Sequence, residues 1–456
     1  MLRTVLRLTL LFFPSSAAFS QMTLEQAVQI AATRYPAVRA SLEQVAAAAA
    51  GVNLARTAFL PRADVSAQLN RATHNNIFGL VMPQSGLYPS ITGPVVGTNS
   101  LDSVWGTVVG ALVQWEPFDF GLRHANLEAA QAARNHANAQ VAVTRLEAVS
   151  AAADAYLTIL AAQQTVTAAA AGAERARVLS TVVDALVKSE LRPGAEASRA
   201  RAELALARTQ LIQAQQSVDV GQAALAQVLG MQPSEISILP GKLLDPAPTA
   251  GAGLSGRPVA GHPLAQAQKV AVAEVEAQQK VLDRSWYPRF NLQGATYARG
   301  TGIQPNGSTG GAASGLGPNI QNWAIGMSVT FPMFDLPSLK ARKEVEVHRE
   351  RAEQARYDQI LQDLTGEVAR AQAMLAGARR VAANTPIQLE AARDTEQQAT
   401  ARYKAGLGTI VEVAEAQRLL TQAEIDDALA RLSIWRALLA LSMAQGDIDP
   451  FVQLAR

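Results

Sequence analysis

Two glutamates, Glu412 and Glu415, are the residues of this chain whose type and spacing most suggest chemistry. Because they are three positions apart, they share one face of a helix. Repeated around the axis of a symmetric assembly, they would form a ring of carboxylates and attract cations. The structural alternative is that they lie near the start of a helix, where the dipole favours acidic side chains. The two interpretations are compatible with each other.

Patterns typical of catalysis or metal binding do not occur in the sequence. Its five histidines form neither an i, i+4 pair nor a His-Glu-x-x-His run, so they predict no metal site. The glycine-rich stretch 300–317 lacks the Lys-Ser or Lys-Thr that ends a phosphate-binding loop. We expect this stretch to be a flexible loop between two strands. The sequence therefore predicts neither an enzyme nor a bound metal or cofactor.

An internal repeat determines which elements must position the two glutamates. Two prolines recur a constant number of positions later in the chain. A later set of positions recurs at a smaller constant distance, so the second copy is shorter by eleven residues. The matching pairs are Pro36 with Pro263, Pro61 with Pro288, Asp119 with Asp335, Glu196 with Glu412, and Gly230 with Gly446. A deletion of this kind indicates a surface loop. We predict a first repeat over 21–230, a linker over 231–261, a second repeat over 262–446 and a tail over 447–456.

Each repeat contains a helical hairpin of unusual length, predicted over about 119–230 and about 337–445. Residues 121–188 contain no proline and are rich in alanine, the strongest helix former. A helix over this stretch would be about 100 Å long. The second copy contains one proline, Pro386, which we expect to kink its helix. Such lengths favour coiled-coil or helical-barrel packing over a globular core.

Four short segments, in hairpins predicted over about 62–116 and about 289–332, alternate apolar and polar residues. The last of them places its large apolar side chains on one face, predicted to face lipid: Trp323, Ile325, Met327, Val329 and Phe331. This alternation is typical of outer-membrane barrel strands, although a half-buried sheet over a soluble core is the alternative. Four strands cannot close a barrel in lipid, so a barrel would have to be shared between copies of the chain.

The amino-terminal residues and the overall charge indicate an exported protein. Residues 1–20 combine two arginines with an apolar run and small residues before Gln21, which predicts a cleaved signal peptide. A single membrane anchor is the alternative, but the apolar run is short for a span. Cleavage removes Arg3 and Arg7 from the 40 basic residues, leaving 38 against 38 acidic residues. A neutral chain argues against a nucleic-acid partner, and the absence of cysteine excludes disulfides.

With these motifs in this order, the chain resembles the TolC family of outer-membrane efflux channels. The motifs are Tyr35-Pro36 and His262-Pro263, Leu60-Pro61 and Tyr287-Pro288, the run 117–121, and the run 403–417. The resemblance implies an α+β fold with an internal two-fold repeat and a homotrimeric assembly. Each protomer would give four strands to a shared twelve-stranded β-barrel, and its coiled-coil hairpins to a long α-helical barrel in the periplasm.

The resemblance also assigns the hairpin ends. It implies that the turns at Glu190, Leu191, Gly406, Leu407 and Gly408 dock a periplasmic adaptor protein. It further implies a gate formed by Glu196, Tyr403, Glu412 and Glu415. The chain departs from the family twice. The first turn has Glu190 in place of a glycine, so Pro193-Gly194 could make the turn instead. Gly408 replaces an arginine found in some members, so we expect fewer or different charged links at the gate.

The function that this resemblance implies is a passive outer-membrane channel-tunnel in a tripartite efflux or type I secretion system. It would export small molecules or proteins, with an adaptor protein and an inner-membrane transporter as partners and outer-membrane lipid around its strands. Two alternatives are a periplasmic adaptor protein and a coiled-coil structural protein. An adaptor would need a single helical hairpin flanked by small β-domains, and a structural protein would lack the strand pairs.

Overall fold

The structure is a computed structural model, and it describes residues 21–73, 103–245, 258–304, 306 and 308–456. The predicted signal peptide, the segment 74–102 between the first two strands, and residues 246–257 of the predicted linker lie outside the described residues. The chain divides into two compact units. The hairpin unit contains the described residues up to Leu42, together with Ala139–Ala267 and Asp358–Arg456. The sheet unit contains Glu43–Asn138 and Gln268–Tyr357.

Within the described residues, the sheet unit has four antiparallel strands in the order β1-β2-β3-β4. Their bounds are Arg62–Thr73 for β1, Ser103–Phe118 for β2, Arg289–Thr301 for β3 and Ile320–Thr330 for β4. Helix α2 (Pro36–Thr57) precedes β1, and helix α5 (Pro263–Ser285) precedes β3. The four segments with alternating side chains are therefore strands, as the sequence predicts, because their alternation has the period of an extended chain.

The register of the sheet separates an apolar face from a polar face. Val65 pairs with Ala111, Ala111 with Thr296, and Thr296 with Trp323, so these four side chains share one face. That face carries the large exposed apolar side chains of the strands: Val65, Leu69, Val109, Val113, Trp115, Leu292, Trp323, Ile325, Met327 and Val329. The opposite face carries mostly polar or small residues. Nothing in the described part of the chain covers this apolar face, and exposed apolar patches of this kind mark interaction surfaces.

A buried aspartate fixes the junction between β2 and helix α3 (Leu122–Lys188). The Asp119 carboxylate accepts the backbone N–H groups of Gly121 at 3.1 Å and Arg123 at 2.7 Å. It also accepts the Arg123 Nε–H at 3.0 Å. Burial of Asp119 acts to raise its pKa, but the hydrogen bonds from Arg123 and Gly121 outweigh burial and lower that pKa. The carboxylate therefore stays ionised and holds the first turn of α3.

The hairpin unit contains most of two long helical hairpins, whose first helices begin in the sheet unit. Helix α3 is followed by α4 (Gly194–Leu229), and α6 (Leu336–Lys404) is followed by α7 (Ile410–Ala444). Helix α6 remains helical through Pro386. Helices α1 (Leu24–Arg34) and α8 (Asp449–Ala455) join a core of fully buried side chains that includes Tyr156, Trp435 and Phe451. No helix in the described part of the chain has both the length and the apolar character to span a membrane.

The glycine-rich stretch lies between β3 and β4, as the sequence predicts, and its described residues contact β2. The Gly302 N–H donates to the Trp105 carbonyl at 2.8 Å, and the Thr107 hydroxyl donates to the Gly315 carbonyl at 2.9 Å. Ile303 is buried. Residues without a Cβ let the loop backbone approach the strand closely enough to form these bonds. Composition indicated a loop correctly but carried no information about its tertiary contacts.

Candidate functional site

The turn after α3 is closed by Glu190 in a left-handed conformation. The Glu190 N–H donates to the Val187 carbonyl at 3.0 Å, and the Leu191 N–H donates to the Leu186 carbonyl at 3.0 Å. These two bonds form a Schellman motif, whose left-handed position usually holds glycine. Glu190 occupies it with φ 59°. Pro193 only precedes α4, so the prediction that Pro193-Gly194 makes the turn is wrong.

The turn after α6 has the same hydrogen bonds, with glycine at the left-handed position. The Gly406 N–H donates to the Tyr403 carbonyl at 3.0 Å, and the Leu407 N–H donates to the Arg402 carbonyl at 2.9 Å. Gly406 has φ 74°. Each turn places a leucine in solvent, since Leu191 is 69% exposed and Leu407 is 73% exposed. The two hairpins thus end in equivalent turns, each with an unpartnered apolar side chain.

A buried tyrosine joins the two hairpins beside these turns. Tyr403, at the end of α6, is 4% exposed, and its hydroxyl donates to Glu196 Oε2 at 2.9 Å. Burial raises the pKa of Tyr403 to about 12, and the adjacent Glu196 carboxylate adds to this effect. The hydroxyl therefore remains a donor at neutral pH. Because Glu196 lies in the first turn of α4, this bond connects the end of one hairpin to the start of the other's returning helix.

Arg192 completes this cluster, and the sequence analysis did not name it. Its guanidinium lies 4.9 Å from the Tyr403 ring centroid, and its Nη1 is 3.7 Å from Glu196 Oε1. Its Nη2 also donates to the Tyr403 carbonyl at 3.4 Å. Arg192 thus supplies a charged link from the first turn, whereas Gly408 in the second turn has no side chain. The i, i+4 spacing of Arg192 and Glu196 is the sequence signal that could have indicated this pair.

Glu412 and Glu415 lie outside the Tyr403 cluster, and each has a basic neighbour. The Glu412 N–H donates to the Thr409 hydroxyl at 3.3 Å, which is the hydrogen bond of a helix N-cap. Its Oε2 lies 4.0 Å from Arg402 Nε. Glu415 Oε2 accepts from Arg418 Nη2 at 2.5 Å. Glu412 therefore has the helix-start geometry of the structural alternative, and both carboxylates remain partly exposed.

The remaining predicted residues lie in the sheet unit. Trp323, Ile325, Met327 and Val329 share the apolar face of β4, and Phe331 follows the strand with its side chain exposed. Among the residues that the structure describes, no group of His, Asp and Glu side chains has the arrangement of a metal site.

Comparison with known proteins agrees with this architecture. The sequence model of the outer membrane efflux protein family matches residues 27–231 and 259–447. The chain is 25% identical over 443 residues to protein CyaE of Bordetella pertussis, covering 95% of this chain and 86% of CyaE. The fold matches the CmeC outer membrane channel of Campylobacter jejuni, with a TM-score of 0.73 at 17% identity over 93% of this chain and 85% of CmeC. It also matches the outer membrane protein VceC of Vibrio cholerae, with a TM-score of 0.71 at 18% identity over 93% of this chain and 96% of VceC.

The family match covers both hairpins and the described strands, and this excludes the adaptor and structural-protein alternatives. It also confirms the predicted resemblance and the predicted α+β fold with two repeats. The chain belongs to the outer membrane efflux protein family.

Proposed function

We propose that this outer-membrane channel protein, which is not an enzyme, works as a homotrimeric duct whose gate lies at the hairpin ends. An inner-membrane transporter and a periplasmic adaptor protein would deliver the cargo and supply the energy. Family membership supports a place in a tripartite efflux or type I secretion system. The observation that carries the proposal is the four-stranded sheet, which has one exposed apolar face and two edge strands without a second neighbour in the described residues.

The sheet supports sharing a barrel between copies. β1 and β4 each pair with one strand in the described part of the chain, so their outer edges present free backbone groups. Backbone groups cannot remain unpaired in lipid. Pairing β4 of one copy with β1 of the next would satisfy both edges, and three copies would close twelve strands. The apolar face, including Met327, would then contact lipid, and the polar face would line the lumen.

Two helices of the hairpin unit, α4 and α6, expose apolar side chains that have no partner among the described residues. Helix α4 exposes Leu206, Ile212 and Val220, and helix α6 exposes Met374, Val381 and Ile387. Ile212 lies about five helical turns after the start of α4, and Ile387 lies about five turns before the end of α6. Because α4 leaves its turn and α6 approaches its turn, equal distances place these side chains at similar heights. A ring of copies needs two different matching surfaces, and α4 against α6 of the next copy would provide them.

The chain has no cysteine, so this assembly can be tested by disulfide formation. The double variant Ile212→Cys with Ile387→Cys should form disulfide-linked oligomers in outer membrane, whereas each single variant should not. Leu419→Cys, an exposed position on α7, replaces Ile387→Cys in the matched control pair. If the double variant forms trimers without the cross-link, the α4–α6 contact is refuted while the trimer stands.

At the ends of the hairpins, the Tyr403–Glu196–Arg192 cluster would hold the gate closed, and the exposed leucines of the two turns would dock the adaptor. Glu412 and Glu415 would face the opening and favour cations. Purified protein in a planar bilayer tests the channel and this charge together.

In that bilayer, wild type should conduct, prefer potassium over chloride and be blocked by polyvalent cations from the periplasmic side. Glu412→Ala with Glu415→Ala should weaken the preference and remove most of the block. The nearby arginines Arg402 and Arg418 would limit the size of this effect. Absence of conductance in wild type would refute the channel. Identical selectivity in the double variant would leave only the helix-start role for these glutamates.

A further inference from the structure

We infer that a partly buried polar layer halfway along α7 is the joint about which the gate end of the second hairpin moves. The inference rests on the proposed gate. Along α7, Ile410 and Val413 belong to an apolar cluster beside the turns, and Leu432 and Trp435 belong to the large core cluster. The polar layer lies between them and consists of Thr421, Glu424 and Asp427 with their partners on α3 and α6: Arg175 and Thr385.

The first half of the layer joins α7 to α3. Arg175 donates through Nη1 and Nη2 to the two Glu424 oxygens at 3.2 Å and 2.8 Å, and through Nη2 to the Thr421 hydroxyl at 2.8 Å. A Cβ at Gly172 would lie 2.6 Å from the Thr421 hydroxyl oxygen, so a side chain there would displace Thr421. Glycine at this position lets the two helices approach closely enough for the polar contact.

The second half of the layer joins α7 to α6 beside a proline. Asp427 is 2% exposed, accepts the Thr385 hydroxyl at 3.0 Å and forms an ion pair with Arg431. Pro386 follows Thr385 inside α6 and has no N–H, so this turn of the helix lacks one backbone hydrogen bond. The weakened turn of α6 thus lies next to the Thr385–Asp427 hydrogen bond, which is the one bond to α7 that Thr385 makes among the described contacts.

The repeat shows that this layer has no counterpart at the equivalent positions of the duplicated unit. The shift in numbering that relates Glu196 to Glu412 also identifies the counterparts of the layer in the other repeat. Thr385-Pro386 corresponds to Ala169-Ala170, Thr421 to Ala205, Asp427 to Leu211, Glu424 to Arg208 and Arg175 to Ala391. Neither the threonine–aspartate bond nor the ion pair can therefore form in the equivalent place. Both hairpins keep the same turn geometry, so the layer is not required to form a hairpin. Helix α7 carries Thr421, Glu424 and Asp427 of the layer, and its counterpart α4 carries neither the threonine nor an acidic residue at these positions, which indicates a property that α7 needs and α4 does not.

That property is the ability of packed helices to separate. A buried polar layer holds helices in register but stabilises their contact less than an apolar layer of similar volume. When the helices part, its groups can bind water, whereas separated apolar side chains cannot. Between α6 and α7 the layer consists of the Thr385–Asp427 bond, and a buried apolar cluster of Leu389, Ala392, Leu420 and Ala423 joins the same helices on its tip side. The two helices are therefore easiest to separate at Thr385–Asp427, and the weakened turn at Pro386 lets α6 bend there. The segment from the layer to the turn, which carries Tyr403, would move as one piece.

The first repeat supplies the test variant, namely Thr385→Ala, Pro386→Ala and Asp427→Leu together. We expect a higher unfolding midpoint and roughly tenfold rarer opening in a planar bilayer than wild type, since an apolar layer holds helices together more strongly. The matched control replaces an exposed polar pair on the same two helices, Gln388→Ala with Asp426→Leu, whose atoms are 3.3 Å apart. The control should open as often as wild type.

Pro386→Ala alone is the second variant, because it restores a backbone bond without changing the packed side chains. It should also make opening rarer. If wild type conducts and both layer variants open at the wild-type frequency, the joint is refuted while the channel stands. If wild type does not conduct, the proposed function fails and this inference fails with it. A triple variant that does not assemble leaves the decision to Pro386→Ala.

Discussion

Tyr403→Phe should open the channel without unfolding it. The substitution removes a hydroxyl that donates to the Glu196 carboxylate at 2.9 Å and changes little else. A hydrogen bond to a charged group contributes about 1.5–3 kcal/mol. The lower value applies here, because Glu196 is partly exposed and keeps Arg192 at 3.7 Å. About 1.4 kcal/mol corresponds to a factor of ten, so each protomer's contact should open about ten times more often.

The assay is single-channel recording in a planar bilayer, with Tyr156→Phe as the matched control. Tyr156 is also a buried tyrosine, and its hydroxyl donates to the Met22 carbonyl at 3.0 Å within the core rather than at the turns. Tyr156→Phe should lower the unfolding midpoint and leave opening unchanged. Equal opening frequencies for wild type and Tyr403→Phe would refute the gate.

The same contact has a defined pH dependence. Tyr403 has its pKa raised from an ordinary value of 10.0 to about 12 in the folded protein. A group whose folded pKa is raised contributes its full stabilisation below the unfolded value and loses it as pH rises through the folded value. Through Tyr403, the closed state should therefore be unaffected by pH up to about 10 and should weaken between about 10 and 12. Tyr403→Phe should lack this alkaline opening.

Three further predictions concern the sheet and the turns. Met327→Arg, on the apolar face, should make trimer assembly in the outer membrane less favourable by about 2–4 kcal/mol. Ser328→Arg, on the opposite face, should be tolerated. Equal trimer yields for the two variants would contradict a lipid-facing β4. Leu407→Asp should abolish export but not localisation, and transport at the normal rate would exclude this turn from docking. Glu190→Gly should raise stability by about 1 kcal/mol in thermal unfolding and Gly406→Ala should lower it by a similar amount, since both positions have positive φ.

Local patterns in the sequence were sufficient to predict the elements of this fold. Strand β4 was predictable because alternation from Trp323 to Val329 is a property of consecutive residues. Helix α3 was predictable because its residues include much alanine and no proline. The internal repeat then indicated that two hairpins and two strand pairs occupy equivalent places, which the family match confirms.

Contacts between distant turns were not predictable in this way. Arg192 contacts Tyr403 across 211 positions of sequence, and no periodic pattern records such a pair. The left-handed conformation of Glu190 was also missed, because intrinsic preference favours glycine there and the hydrogen bonds of the turn override it. The resemblance identified Tyr403 and Glu196 as gate residues, but only the structure brings them together at 2.9 Å.

The Tyr403–Glu196 hydrogen bond also explains how the two equivalent glutamates, Glu196 and Glu412, could have different roles. The shift in numbering that relates Glu196 to Glu412 also relates Val187 to Tyr403. Val187 packs against the apolar cluster that contains Tyr403, Ile410 and Val413, but it has no hydroxyl to donate. The symmetric counterpart of the Tyr403–Glu196 hydrogen bond therefore cannot form. Glu196 therefore accepts the Tyr403 hydroxyl. The Glu412 side chain lies near Arg402 instead and is partly exposed. In the proposed gate, this one difference between the duplicated turns would assign Glu196 to closing the gate and leave Glu412 for the opening.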